Sequence, residues 1–116
     1  MKVVDKPWGK EEWLEVNDNY TVKRISVLQG HQCSLQYHEI KKETMFVLEG
    51  ILNLYIEYPW DKGRHTIHKL HPGQYFTINP GVIHRSIGVE GDVVFLESST
   101  SELDDVIRIE DDYKRV

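Results

Sequence analysis

The chain has 116 residues, of which 40% are apolar and 28% are charged, and this is the composition of one soluble globular domain that covers residues 1–116. Asp and Glu (19 residues) outnumber Lys and Arg (14 residues), and this acidic balance argues against partners such as nucleic acid or an anionic membrane, since both need a basic face. No apolar run approaches the roughly 20 residues of a membrane span, no signal-peptide-like stretch opens the chain, and the one cysteine excludes an internal disulfide, so we expect a cytoplasmic protein.

Short runs rich in Val, Ile, Tyr, Phe and Thr alternate with turn signals that contain Gly, Asn or Asp. The predicted strands are, in chain order, Glu12–Val16, Tyr20–Leu28, Ser34–His38, Thr44–Leu48, Ile51–Tyr58, His65–Leu70, Gln74–Ile78, His84–Val89, Val93–Ser98 and Val106–Glu110. Several alternate apolar and polar residues with the period of two that a half-buried strand shows, and no segment has a sustained helical period. Many short strands at this spacing predict an all-β sandwich or barrel.

Four polar residues on these strands form a candidate metal site. Gln36 and His38 are two positions apart on one strand and therefore point to the same face, Glu43 begins the next strand, and His84 follows a later turn. Any one of them alone is an ordinary polar residue. Together they offer the mixed nitrogen and oxygen ligands that suit a divalent first-row metal, with zinc the first choice and Mn, Fe, Co or Ni as alternatives.

The spacing of these residues resembles the two motifs of the cupin superfamily. The first motif is Gly30-(x5)-Gln36-x-His38-(x4)-Glu43-(x6)-Gly50, and the second is Gly73-(x5)-Asn79-Pro80-Gly81-(x2)-His84-(x3)-Gly88. The usual superfamily residues are His at Gln36, Pro at Asn79 and Asn at Gly88. The resemblance implies an all-β jelly-roll barrel, the double-stranded β-helix of cupins.

The ends of the chain resemble a narrower group, the cupin domain of type II mannose-6-phosphate isomerases. The resemblance is carried by Lys6-Pro7-Trp8-Gly9, Val22-Lys23-Arg24-Ile25, the Gln36-x-His38 pair, His84-Arg85 and the segment from Asp105 to Arg115. It implies that Gln36, His38, Glu43 and His84 bind the metal. In that group the domain usually follows a guanylyltransferase domain, and because this chain has no Gly-rich phosphate loop we do not expect guanylyl transfer.

Four cationic residues are the candidates for catalysis and substrate binding. Lys41 stands where the family has a catalytic Arg, and it could act as an acid–base group or as an electrostatic clamp. Arg85 follows His84 directly, so alternation points it away from the face of His84, which favours a structural role over substrate contact. Lys23 and Arg24 are neighbours on one strand, so one of the two must face inward, where it could hold a sugar phosphate.

The resemblance implies aldose–ketose isomerisation of a sugar phosphate such as mannose 6-phosphate, a reaction in which a metal stabilises the enediolate. Two alternatives stay open: an Fe-dependent dioxygenase, since His38, Glu43 and His84 form a two-His-one-carboxylate set, and a non-catalytic saccharide- or metabolite-binding module, which the loss of Arg at Lys41 favours. We also expect a homodimer, because small cupins commonly pair through an N-terminal strand and Lys6–Val16 is too apolar for a free arm.

Overall fold

The computed structural model describes residues 1–113, which form eleven β-strands joined by turns. The strands are β1 (Lys2–Lys6), β2 (Gly9–Val16), β3 (Thr21–Val27), β4 (Leu35–Tyr37), β5 (Glu43–Glu49), β6 (Leu52–Glu57), β7 (Thr66–Leu70), β8 (Tyr75–Ile78), β9 (Ile83–Ile87), β10 (Val93–Ser99) and β11 (Ile107–Glu110). Within residues 1–113 there is no helix long and apolar enough to cross a membrane.

The strands form two antiparallel sheets whose inner faces enclose the core. One sheet has six strands in the order β1-β2-β3-β10-β5-β8, and the other has five in the order β11-β4-β9-β6-β7. Alternation along each strand turns one set of side chains inward, as β3 shows with its buried residues at every second position. The all-β jelly-roll architecture predicted from the sequence is therefore confirmed.

The inner face of the six-stranded sheet changes from apolar to polar along its length. Ile25 on β3 pairs with Phe95 on β10, and both belong to the apolar core. Two residues further along the same two strands, Lys23 pairs with Glu97, and both are buried. On the other side of β10, Ser99 pairs with Glu43 at the start of β5. Neighbouring strands in register thus place buried charges together at one end of the barrel.

The N-terminal segment differs from its prediction. Lys2–Lys6 forms β1, a strand that was not predicted, and β2 begins at Gly9, three residues before the predicted start at Glu12. β2 lies between β1 and β3, and Trp8 is buried in the core with 4% of its surface exposed. Trp8 is thus covered by its own barrel, whereas Leu14 and Val16 on β2 remain exposed, so this segment keeps apolar side chains at the surface.

One glycine of the first motif has a clear steric reason. Gly50 lies in the tight turn between β5 and β6 with φ of 75°, a conformation that residues with a side chain rarely adopt. A Cβ atom at this position would also collide with the backbone oxygen of Asp92. Glycine is required here because the turn passes against the chain that leads into β10.

Candidate metal centre

Two histidines and a glutamate meet at the polar end of the barrel. His38 follows β4, Glu43 opens β5 and His84 lies on β9, and each is at most 2% exposed. The Oε1 atom of Glu43 lies 3.1 Å from Nε2 of His38 and 2.9 Å from Nε2 of His84. The ligand atoms of the three residues all lie within 4.8 Å of one another, so one ion could contact all three.

Backbone carbonyl groups orient both imidazole rings. Nδ1 of His38 contacts the carbonyl oxygen of Asp105, and Nδ1 of His84 lies 3.0 Å from the carbonyl oxygen of Val82. A carbonyl oxygen can only accept a hydrogen bond, so each Nδ1 is the donor and Nε2 is the ring nitrogen that faces Glu43. Histidines that bind metals are commonly oriented in this way.

The buried polar atoms of this cluster are ones that a bound cation would satisfy. Among residues 1–113, Nε2 of His84 and Oε2 of Glu43 have no hydrogen-bond partner, and both atoms are buried. Nε2 of both histidines lies close to Oε1 of Glu43, so a single cation could contact all three groups. A divalent metal satisfies all three groups at once, and imidazole with carboxylate is a ligand set that suits Zn, Fe and related ions. The residues present therefore fit a metal.

The charge states of two neighbouring carboxyl groups differ. Burial alone would raise the pKa of Glu43, but contacts with Glu97, His38 and His84 hold that pKa well below its ordinary value. For Glu97, burial and the adjacent charge of Glu43 raise the pKa well above the ordinary value of a glutamate. Glu43 is thus the stronger acid of the pair and Glu97 the weaker one.

Gln36 occupies the position predicted for a fourth ligand. It pairs directly with His84 across β4 and β9, so the two side chains share the inner face of their sheet. Its Oε1 atom accepts a hydrogen bond of 2.9 Å from the hydroxyl group of Ser34. A carbonyl oxygen has two lone pairs, so this hydrogen bond leaves one for a metal.

A cavity with two chambers opens beside the cluster. The inner chamber, about 70 Å³, is bounded by apolar core residues on one side and by polar residues that include His84 on the other. The outer chamber, about 370 Å³, is bounded by Lys6, Glu11, Trp13, Lys23, Gln36, His38, Lys41, Glu97, Leu103, Asp104, Val106 and Arg108. Gln36, Glu97 and Arg108 are among the residues that border both chambers. The outer chamber has the size of a site for a small ligand, and its wall is rich in charge.

Lys41 and Lys23 both lie in the cavity wall. Nζ of Lys41 is 3.5 Å from Oε2 of Glu43, and the side chain is buried. Burial acts to lower the pKa of Lys41, but the charges of Glu97 and Glu43 raise it overall, so the ammonium form is retained. Lys23 is the inward member of its pair, with Nζ 3.3 Å from Glu11 and 4.6 Å from the ring centroid of Trp13.

Arg24 and Arg85 are not among the residues that line the two chambers of the cavity. Arg24 points to the outer face of the six-stranded sheet, where Nη2 lies 2.7 Å from Glu12, because alternation turns it opposite to Lys23. Arg85 points away from His84, and its guanidinium group donates hydrogen bonds to the carbonyl oxygens of Cys33 and Glu110. Its place is a structural one that joins β9 to β11.

Three residues of the site were missed in the sequence. Glu97 could have been found, because it continues the inward alternation of Val93 and Phe95 with a charge. Arg108 could have been found in the same way, since it interrupts the apolar residues of β11. The third is Asp105, whose carboxylate accepts hydrogen bonds from the loop after His38. Nothing in the sequence predicts these hydrogen bonds, because the two segments are far apart in the chain.

Comparison with protein families identifies the group to which this site belongs. The family described as Mannose-6-phosphate isomerase C-terminal matches residues 1–111. The chain belongs to this family. Its fold is the cupin fold, as the sequence motifs implied.

Two curated relatives align with nearly the whole chain. Mannose-1-phosphate guanylyltransferase ManC of Salmonella typhimurium is 31% identical over 115 residues, and mannose-1-phosphate guanylyltransferase of Escherichia coli is 32% identical over 117 residues. Each alignment covers 97% of this chain but 23% of the relative. The chain therefore spans about a quarter of the length of these relatives.

Solved structures support the fold. KdgF from Halomonas sp. superposes with a TM-score of 0.75 at 16% identity, over 90% of this chain and 89% of that chain. The capsular polysaccharide assembling protein CapF from Staphylococcus aureus superposes with a TM-score of 0.83 at 15% identity, over 94% of this chain and 34% of that chain. At these identities the likeness establishes a shared architecture.

Proposed function

We propose that this domain is a metal-dependent isomerase that interconverts an aldose phosphate and a ketose phosphate, with mannose 6-phosphate and fructose 6-phosphate as the first pair to test. The observation that carries the proposal is the buried His38–Glu43–His84 cluster, which is built for a cation and lies beside a charged cavity of ligand size. Membership of the Mannose-6-phosphate isomerase C-terminal family supports the choice of reaction.

Gln36, His38, Glu43 and His84 would hold the ion. A divalent metal there would supply Lewis-acid stabilisation of the negative charge that develops on substrate oxygens during isomerisation. Glu43 is the single carboxylate among the four proposed ligands and Gln36 is neutral, so a divalent ion and these ligands together would keep a net charge near +1. Zinc is our first choice, because isomerisation needs no redox chemistry and the ligands suit it.

Two ionisable side chains on the cavity wall would act on the substrate, one on its charge and the other on its proton. Lys41 is a buried ammonium group beside Glu43, so it is suited to donate a hydrogen bond to a substrate oxygen and to stabilise charge on it. Glu97 borders both chambers, which places a carboxyl group where it could carry a proton between adjacent substrate carbons. The lysine thus acts as the electrostatic clamp and the glutamate as the acid–base group.

A saccharide-binding module without turnover is the second candidate. The observation that favours it is the contact of Lys41 with Glu43, because a lysine engaged by a ligand carboxylate has less positive potential to offer a substrate. Lys41 also lacks the planar guanidinium group that the resemblance leads us to expect at this position. This candidate predicts binding of sugar phosphates with no exchange of the C2 proton.

The experiment is NMR observation of proton exchange at C2 of mannose 6-phosphate in deuterated water, with zinc-loaded protein. We expect exchange and formation of the ketose, and loss of both after the metal is removed with a chelator. Lys41→Ala should lower kcat at least tenfold with a smaller change in KM, because the ammonium group acts on charge present in the transition state. Lys42→Ala is the matched control, since the neighbouring side chain is exposed.

Lys41→Arg extends the experiment, because it places the guanidinium group of the related isomerases in this cavity. If both the parent and Lys41→Arg bind metal but neither exchanges the C2 proton of any phosphorylated aldose in a panel, the isomerase proposal fails. Binding of a sugar phosphate under those conditions would support the binding module instead.

A further inference from the structure

The cationic side chains of the outer chamber differ in whether they already have a partner. Lys23 and Lys6 approach the two oxygens of Glu11, with Nζ–O distances of 3.3 Å and 4.0 Å. Nζ of Lys41 lies 3.5 Å from Oε2 of Glu43. The fourth cation, Arg108 on β11, forms no side-chain hydrogen bond or ion pair with any residue from 1 to 113.

The guanidinium group of Arg108 therefore has no partner among residues 1–113, although the side chain is half-buried in the cavity wall. Its Nε atom is buried and lacks a hydrogen-bond acceptor among the described residues, and the side chain borders both chambers. Glu97 and Asp104 border the outer chamber as well, but neither forms an ion pair with it. A charged donor that is removed from water without an acceptor is unfavourable, so a bound anion would satisfy what the protein leaves open.

The strand register places Arg108 on the same face as the metal cluster and at a defined separation from it. Arg108 pairs with Gln36 across β11 and β4, and Gln36 pairs with His84 across β4 and β9. Directly opposed residues in antiparallel strands have Cα atoms about 5 Å apart and side chains on one face, so Arg108 begins about 10 Å from His84. This separation suits a ligand whose anionic group is several bonds away from its metal-bound end.

We propose that Arg108 binds the anionic group of the substrate, a phosphate monoester at the far end of a sugar whose reacting carbons lie at the metal centre. The inference rests on the proposed function for the sugar and assigns the anion site to Arg108 rather than to Lys23, which Glu11 already neutralises. Guanidinium presents planar pairs of N–H donors that match the oxygens of a phosphate or a carboxylate. Both anions share this chemistry, and the experiment separates them.

The test is calorimetric titration of zinc-loaded protein with mannose 6-phosphate, mannose and glucuronate. We expect the parent to bind mannose 6-phosphate at least tenfold more tightly than mannose. Arg108→Gln should weaken binding of mannose 6-phosphate at least tenfold while leaving zinc content and mannose binding unchanged, and Arg108→Lys should fall between the two. Arg64→Gln is the matched control, because that side chain is 84% exposed in the turn between β6 and β7.

The outcomes separate this inference from the proposed function. Equal binding of mannose 6-phosphate by parent and Arg108→Gln would overturn the anion site, whether or not the parent exchanges the C2 proton, and so would a parent that does not distinguish the phosphate from mannose. Loss of phosphate binding in Arg108→Gln without any proton exchange in the parent would support the anion site and reject the isomerase. Tighter binding of glucuronate than of mannose 6-phosphate would overturn the choice of phosphate. If Arg108→Gln does not fold, Arg108→Lys decides, and unchanged binding in that variant overturns the role of the planar group.

Discussion

At the scale of single residues, the strongest feature of the molecule is the orientation of two imidazole rings by backbone carbonyl groups. A side-chain partner could be altered by one substitution, but the carbonyl groups of Asp105 and Val82 belong to the chain path itself. Both rings therefore keep Nε2 toward Glu43 as long as the local backbone keeps its shape. The three side chains thus already have an arrangement that could hold a metal ion.

The first prediction at this scale concerns metal content. Replacing both His38 and His84 with Ala should abolish binding of the one divalent ion expected per chain, because Glu43 and Gln36 alone offer two oxygen ligands. Elemental analysis after dialysis measures the metal, and circular dichroism checks that the β-structure is retained. The double variant of His65 and His71 to Ala is the control, since both are exposed. Unchanged metal content in the double variant of His38 and His84 would rule out this centre.

At the scale of elements, the segment before β11 holds the loop that follows His38. The carboxylate of Asp105 accepts hydrogen bonds from the backbone N–H groups of Glu39, Ile40 and Lys41, at 3.0, 2.7 and 2.8 Å. These three donors lower the pKa of Asp105, because they favour its charged form. The same residue orients His38 through its carbonyl oxygen, so one aspartate fixes both the first ligand and the backbone of Lys41.

Asp105→Ala keeps the carbonyl oxygen that orients His38 but removes the carboxylate that holds the loop after His38, so the affinity for zinc should fall about 10-fold, the lower end of what the loss of such supporting groups commonly costs. A competition titration with a zinc-binding dye measures the affinity. Asp104→Ala is the control, because its side chain is exposed and forms none of these hydrogen bonds. The folded-state pKa of Asp105 is lowered, so its contribution to stability is present above the ordinary pKa of aspartate and is lost as the pH falls through the lowered value. Equal zinc affinity in Asp105→Ala and the parent would contradict this role.

The elements that could be predicted from the sequence are those with local signals. Turn residues and alternation located ten of the eleven strands, and the motif spacing brought His38, Glu43 and His84 together correctly. β1 was missed because no turn signal precedes it. The hydrogen bonds between Asp105 and the loop after His38 could not be predicted, and neither could the position of Arg24 outside the cavity. Both depend on strand pairing, which follows from contacts between distant segments.

At the scale of the whole molecule, one edge of the six-stranded sheet is open in the single chain. β1 pairs with β2 on one side and has no strand of the chain's described part on the other. Val3 on this strand is 51% exposed, and Leu14 and Val16 on β2 are 44% and 42% exposed. An exposed edge with apolar side chains is a surface that proteins commonly cover by pairing.

We expect the protein to be a homodimer that is joined along β1. Light scattering at micromolar concentration should give twice the chain mass of 13.6 kDa. Val3→Glu should shift the protein toward the monomer, because it places a charge on the apolar edge, and Val89→Glu should not, although that valine is also exposed at 57%. A parent that is monomeric under these conditions would count against the dimer.

The hydrogen bonds that Asp105 forms with His38 and the loop after it affect how the molecule folds. Its hydrogen bonds join residues that are 64 to 66 positions apart, and the bond to His38 spans 67. Closing so long a loop costs entropy that is recovered only when most of the barrel between the two segments is already in place. A refolding chain should therefore bury its apolar core before the loop after His38 is fixed. Zinc added at the start of refolding should then bind more slowly than zinc added to the folded protein, because the site is complete only after β11 has docked.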